Sequence, residues 1–203
     1  MRFAAISVSL LLGAAALPTA VGAQAPTRSG AFRASLGLGL GSFRVSCPTI
    51  CAGERNGGMA GHGTIGVAVG KGLIIGGELA GWTDKYTTGD QDTEVKERLY
   101  LLGPSVEWYP APQRPVHFGI TMGYLSYKLE IVDDPNSEPI TGSTFGVQVR
   151  GGYDFQLVKG LKISPYVAFM GGLKGELSSD DFGADVPDAT FSLFHVGLAL
   201  TVP

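Results

Sequence analysis

Residues 32–41 read Phe32-Arg33-Ala34-Ser35-Leu36-Gly37-Leu38-Gly39-Leu40-Gly41, and this alternation decides the fold. Successive side chains of an extended strand point to opposite faces. Phe32, Ala34, Leu36, Leu38 and Leu40 therefore share one apolar face, while Arg33, Ser35, Gly37, Gly39 and Gly41 share a face that is small or polar.

The same period recurs up to residue 202. Met59, Ile65, Val67 and Val69 oppose His62, Thr64, Gly66 and Ala68; Leu73, Ile75 and Leu79 oppose Glu78. Tyr100, Leu102, Val106 and Trp108 oppose Ser105 and Glu107, and Val116, Phe118, Ile120, Met122 and Tyr124 oppose His117, Gly119, Thr121 and Gly123. Phe145, Val147, Val149, Tyr153, Phe155 and Leu157 oppose Thr144, Gln148, Arg150, Asp154 and Gln156. Leu161, Ile163, Val167, Phe169 and Leu173 oppose Lys162, Ser164, Tyr166 and Lys174, and the last row is Phe194, Val196, Leu198, Leu200 and Val202. The pattern predicts eight antiparallel strands.

Their connections alternate in length. Long polar stretches fall at 46–58, 84–93, 132–142 and 176–188, and short ones at Gly70-Lys71-Gly72, Pro110 to Pro115 and Val158-Lys159-Gly160. That alternation belongs to single-chain barrels that cross an outer membrane, with the short turns and both chain ends on the periplasmic side. The aromatic residues agree. Tyr100 and Trp108 stand at opposite ends of one apolar row, as do Phe145 and Phe155, and eight to ten residues of tilted strand project to about 20–25 Å, the height of a lipid-facing band. Pro104 and Pro165 fall inside strands and cannot donate to a ladder, so each predicts a bulge or an interrupted pair.

The fold class is thus all-β, an up-and-down transmembrane barrel over residues 24–203. Ahead of it, Arg2, the apolar run from Phe3 to Leu17, Pro18 and Val21-Gly22-Ala23 read as a secretory signal over residues 1–23, cleaved on export. That run is shorter than the roughly 20 residues a membrane anchor needs. Glycine, at 31 of 203 residues, is about twice its usual frequency without a collagen period, as close backbone approach in strands would require. A net charge of −3 gives no sign of a nucleic-acid partner.

The eight segments, the stretch Leu102-Gly103-Pro104-Ser105-Val106-Glu107-Trp108-Tyr109 and the final strand resemble the small outer-membrane barrels of the OmpA/OmpX type. In that resemblance His195, Gly197, Leu200 and Val202 match the C-terminal signal read by the barrel-assembly machinery, although Pro203 stands where such chains usually end in Phe. It implies a monomer in the outer membrane of a Gram-negative-type bacterium, in contact with membrane lipid and, through its loops, with an extracellular ligand.

No motif for a reaction stands out. Gly37-Leu38-Gly39-Leu40-Gly41-Ser42 lacks the last glycine of a dinucleotide loop, and Gly70-Lys71 lacks the first glycine of a phosphate loop. Asp90, Asp92 and Glu94 begin like a calcium loop, yet Val95 and Leu101 occupy its glycine and glutamate positions. Asp180, Asp181, Asp185 and Asp188 read as a solvated loop. Catalytic residues, cofactor and metal are therefore expected to be none. Export puts Cys47 and Cys51 in an oxidising compartment, where a small disulfide loop fits; a metal site would want more ligands than the distant His62. His62, His117 and His195 all have interior parity, as do Arg33, Glu78, Glu107, Arg150, Asp154, Lys162 and Lys174. An interior just wide enough for side chains must pair these charges, which predicts a salt-bridged polar plug.

Three functions compete. The first is a non-enzymatic barrel with a side-chain-filled polar lumen, whose four surface loops contact the environment or whose role is simply to stabilise the membrane; the second is a lipid-modifying enzyme of the same architecture, and the third a soluble lipocalin-like binder with the two faces inverted.

Overall fold

The computed structural model describes residues 31–47, 55–88, 93–132, 137–178 and 186–202. Its strands are β1 (Phe32–Ser46), β2 (Asn56–Gly70), β3 (Leu73–Thr88), β4 (Thr93–Trp108), β5 (Val116–Ile131), β6 (Ile140–Tyr153), β7 (Phe155–Val158), β8 (Leu161–Gly172), β9 (Gly175–Ser178) and β10 (Val186–Val202). Each neighbour pair is antiparallel, and β1 pairs β10, so the sheet closes on itself. β6 and β7 are one strand interrupted at Asp154, and β8 and β9 one strand interrupted at Leu173 and Lys174, so ten segments form eight staves.

The faces fall as the alternation predicts. Leu36, Leu38 and Leu40 are 63–70% exposed, whereas Arg33 between Phe32 and Ala34 is 3% exposed. Ionisable groups inside and apolar rows outside exclude the inverted, lipocalin-like arrangement. The aromatic girdles follow the register: Trp108 stands opposite Phe118 toward the short turns, and Tyr124 stands opposite Phe145 toward the loops, one step below Tyr100.

The turns explain how the strands reverse. Lys71-Gly72 and Lys159-Gly160 each connect neighbouring strands directly, with the glycine at φ 77° and 84° respectively, a conformation that penalises any Cβ. At Pro104 the pairing with β5 passes from Leu102↔Tyr124 to Ser105↔Thr121 without a register shift. At Pro165 the pairing of β8 with β6 stops at Tyr166 and resumes with β7 at Ile163. Both prolines therefore sit at interrupted pairs, the cost of a missing N–H donor.

Three expectations about strands and faces need correction. The loop expected at 84–93 is mostly strand, since Lys85↔Lys96 and Tyr86↔Val95 continue the ladder to Thr88↔Thr93. Backbone pairing outlasts the apolar rows there because these strands rise beyond the lipid band, where polar outward side chains meet water. Lys174 is not in the interior. β6 steps three residues from Gly146 to Ser143 while its partner steps four, from Gly172 to Glu176. That one extra residue reverses the alternation. Lys174 swings outward, 70% exposed, to pair with Asp188 at 3.1 Å, and Leu177 turns inward. Gln156, also expected on the interior side, is exposed near the short-turn rim, donating to the Val158 carbonyl.

Candidate functional site

The half of the interior nearest the short turns is a single ionic network, and Asp154 is its hub. The Asp154 N–H donates to the Pro115 carbonyl at 2.9 Å, one step beyond the Val116↔Tyr153 pair and in the same register. The Asp154 carboxylate accepts from Tyr109 Oη at 2.7 Å and Ser164 Oγ at 2.5 Å, and lies 3.2 Å from His117 Nδ1, 3.3 Å from Lys162 Nζ and 3.5 Å from Arg33. Arg33 bridges to Glu107 at 2.9 Å, Glu107 to Arg150 at 3.5 Å, and Arg150 to Glu78 at 2.7 Å. Glu78 also accepts from Thr121 and Gln148, each at 2.6 Å. Gln148 Oε1 in turn lies 3.3 Å from His195 Nε2.

Three carboxylates (Glu78, Glu107, Asp154) thus meet three cations (Arg33, Arg150, Lys162), all buried. The formal charges cancel, as burial requires. The Tyr109 ring lies under the Arg33 guanidinium, 5.2 Å from its centroid, and closes the end of the barrel. His62 and His195 reach a common Tyr166 from β2 and β10, edge-on at 4.6 and 5.5 Å between ring centroids. Sequence distance hid this meeting, because strands far apart in the chain face each other across a narrow barrel.

His117, Asp154 and Ser164 have the composition of a hydrolytic triad but not its order. Histidine and serine both bind the one carboxylate, and all three side chains are buried, with Asp154 at 0% exposure. No hydrogen bond joins His117 to Ser164 among the described residues, so the nucleophile–base contact of such a site is lacking.

Toward the loops the interior is apolar, contrary to the polar lumen expected throughout. Phe43, Trp82, Leu99, Leu101, Leu125, Met170 and Leu193 pack there with almost no exposure. Phe43 lies 4.7 Å from the Trp82 ring and 5.6 Å from Tyr127, which is 5.5 Å from Phe191. Above them Glu97 accepts from Tyr127 Oη at 3.0 Å and Asn56 Nδ2 at 2.9 Å. The signal was present in Leu99-Tyr100-Leu101-Leu102, a run apolar on both faces, as a strand needs when both sides are dry. Between Arg33, Glu107 and Arg150 the interior leaves a cavity of about 10 Å³, room for about one water.

Of the C-terminal positions, His195 points inward at 0% exposure, Gly197 shares its face, and Leu200 and Val202 face outward, 50% and 43% exposed. Cys47 is disulfide-bonded, and Cys51 lies outside the described residues. So do Asp90, Asp92, Asp180, Asp181 and Asp185, while Glu94 pairs with Lys85 at 2.6 Å.

A closed, eight-staved antiparallel barrel with an apolar girdled exterior is an outer-membrane barrel protein. The sequence matches the family model "Autotransporter beta-domain" over residues 53–174, more than half of the chain, and the protein belongs to that family. No curated relative matches it. Among solved structures it is similar to Neisserial surface protein A (NspA), at 10% identity and a TM-score of 0.56, over 84% of this chain and 96% of that one. It is also similar to the outer membrane protein AlkL, solved in lipid bilayers, at 12% identity and a TM-score of 0.50, over 89% of this chain and 92% of that one. These likenesses carry the fold, and family and fold together give the outer-membrane location.

Proposed function

We propose that the protein is a non-enzymatic, sealed, monomeric barrel that anchors four surface loops in the outer membrane, where they meet an extracellular ligand. The observation that carries this reading is the filled interior: a neutral ionic network in series with an apolar plug, and a cavity of about 10 Å³ between the charges. A pore needs a continuous water column, and an enzyme needs a reactive group that substrate can reach. The buried arrangement at Asp154 offers neither. On this reading His195, Gly197, Leu200 and Val202 are used once, by the assembly machinery, and membrane lipid is the lasting partner.

Planar-bilayer recordings test it. The protein folded from phosphatidylcholine vesicles should give no steady single-channel current; large, long-lived steps would make it a channel and overturn the sealed reading.

A further inference from the structure

The outward face of β1–β5 changes character where the lipid band ends at Tyr100 and Tyr124. One step toward the loops, Arg98 stands directly opposite Lys128, and one further step on, Lys85 stands directly opposite Lys96. Like charges in directly opposed positions destabilise a sheet. Two such pairs at adjoining levels of one surface therefore call for anions between them. The chain supplies two: Glu94, 2.6 Å from Lys85, and Glu130, 2.5 Å from Lys128 and 3.0 Å from Arg98. Lys96 stands directly opposite Glu130 without closing an ion pair with it, and Arg44 and Arg55, exposed at the loop ends of β1 and β2, have no ion-pair partner among the described residues.

The belt is one-sided. At the same height on β6, β9 and β10 the outward residues are Thr141, Ser143, Glu176, Ser178, Thr190 and Ser192, and the nearby Lys174 is paired with Asp188. Six cations gathered on one half of a chain whose net charge is −3 are not a reflection of bulk composition.

The surface also has an apolar part. An open cleft of about 630 Å³ runs along the outside of β1–β4, with Leu40 and Met59 on its membrane side, Gly57 and Gly58 in its floor, and Lys85 and Lys96 on its wall; Asp84 contributes one carboxylate. Leu40 and Met59 are cross-strand partners, 70% and 62% exposed, and a Cβ at Gly57 would meet nothing within 4 Å.

Cations above exposed apolar side chains, at the margin of a lipid band, match an anionic amphiphile. We infer that this face of β1–β5 docks a phosphate-bearing membrane lipid, its headgroup between Lys85 and Lys96 and its acyl chain against Leu40 and Met59. The inference rests on the lipid contact proposed above, but fails separately from it. A barrel not embedded in lipid would lose its heat-modifiable folded form, whereas a barrel without this site would fold and merely show no preference for phosphate.

The test uses the mature protein folded into phosphatidylcholine vesicles doped with equal amounts of a bis-phosphorylated glucosamine glycolipid and the same glycolipid stripped of its phosphates. Mass spectrometry of the solubilised protein counts which is retained. The phosphorylated form should be enriched, and Lys85→Gln with Lys96→Gln should lower that enrichment on the order of tenfold, given the strength of surface cations at anionic membranes. Lys71→Gln with Lys159→Gln, at the opposite end of the barrel, should leave it unchanged, and heat modifiability confirms that each variant is folded. Equal retention of the two glycolipids, equal loss from both double variants, or complete displacement by inorganic phosphate alone would each overturn the inference.

Discussion

Asp154 shows how much one residue's place in the chain can decide. It sits at a break in its own strand without a register shift, so its parity aims a carboxylate inward at five side chains: Arg33, Tyr109, His117, Lys162 and Ser164. Removing it leaves Arg33 and Lys162 buried with one carboxylate fewer, and breaking a buried pair from one side costs about 3–5 kcal/mol. Asp154→Ala should therefore lower the urea stability of the vesicle-folded barrel by that amount. Lys174→Ala, which removes an ion pair whose side chains are 70% and 50% exposed, should change it by about 0–1 kcal/mol. Equal losses from the two would mean that the interior is wet. Glycine supplies a second contrast. A Cβ on Gly103 would stand 2.0 Å from the Met122 carbonyl oxygen, whereas one on Gly70 would meet nothing within 4 Å. Gly103→Ala should cost about 1–3 kcal/mol, as overpacking does, and Gly70→Ala should be silent in the same unfolding assay.

At the scale of the strand, legibility followed the environment. Where one side met lipid and the other a crowded interior, as in Phe32 to Gly41, period 2 gave both the strand and its faces. It failed where the environment changed along a strand. The rows at Lys85 and Lys96 lost their apolar signature on leaving the lipid, although the ladder continued. The bulge before Gly175 reversed the parity that had put Lys174 inside, and a single inserted residue leaves no mark in a hydrophobic pattern. The buried ionic network was legible as a set of inward charges, since parity alone placed Arg33, Glu78, Glu107, Arg150, Asp154 and Lys162; who pairs with whom depends on register, which parity does not give. The lipid face yields its own test. Val149→Arg, in the middle of the apolar row, should destabilise the barrel by about 2–4 kcal/mol, while Ser143→Arg, outward on the same strand but beyond Phe145, should cost about 0–1 kcal/mol. Similar losses at both positions, measured by urea titration in vesicles, would misplace the lipid margin.

Across the whole molecule the interior is two barriers in series, of unlike chemistry. The ionic network near the short turns excludes ions because its charges are already paired; the plug of Phe43, Trp82, Leu99, Leu101 and Leu125 near the loops excludes them because, beyond the single indole N–H of Trp82, it offers no polar side-chain atom to replace hydration. A current must cross both, so opening one should leave the barrel closed. Asp154→Ala alone hydrates the lower half yet leaves the apolar layer intact, and Trp82→Ala alone opens a cavity above an intact network. Bilayer recordings of each single variant should stay near baseline, and only the combined Asp154→Ala and Trp82→Ala variant should show brief conducting events. If Asp154→Ala by itself conducted as well as the combination, the apolar layer would not be a barrier, and the seal would belong to the charges alone.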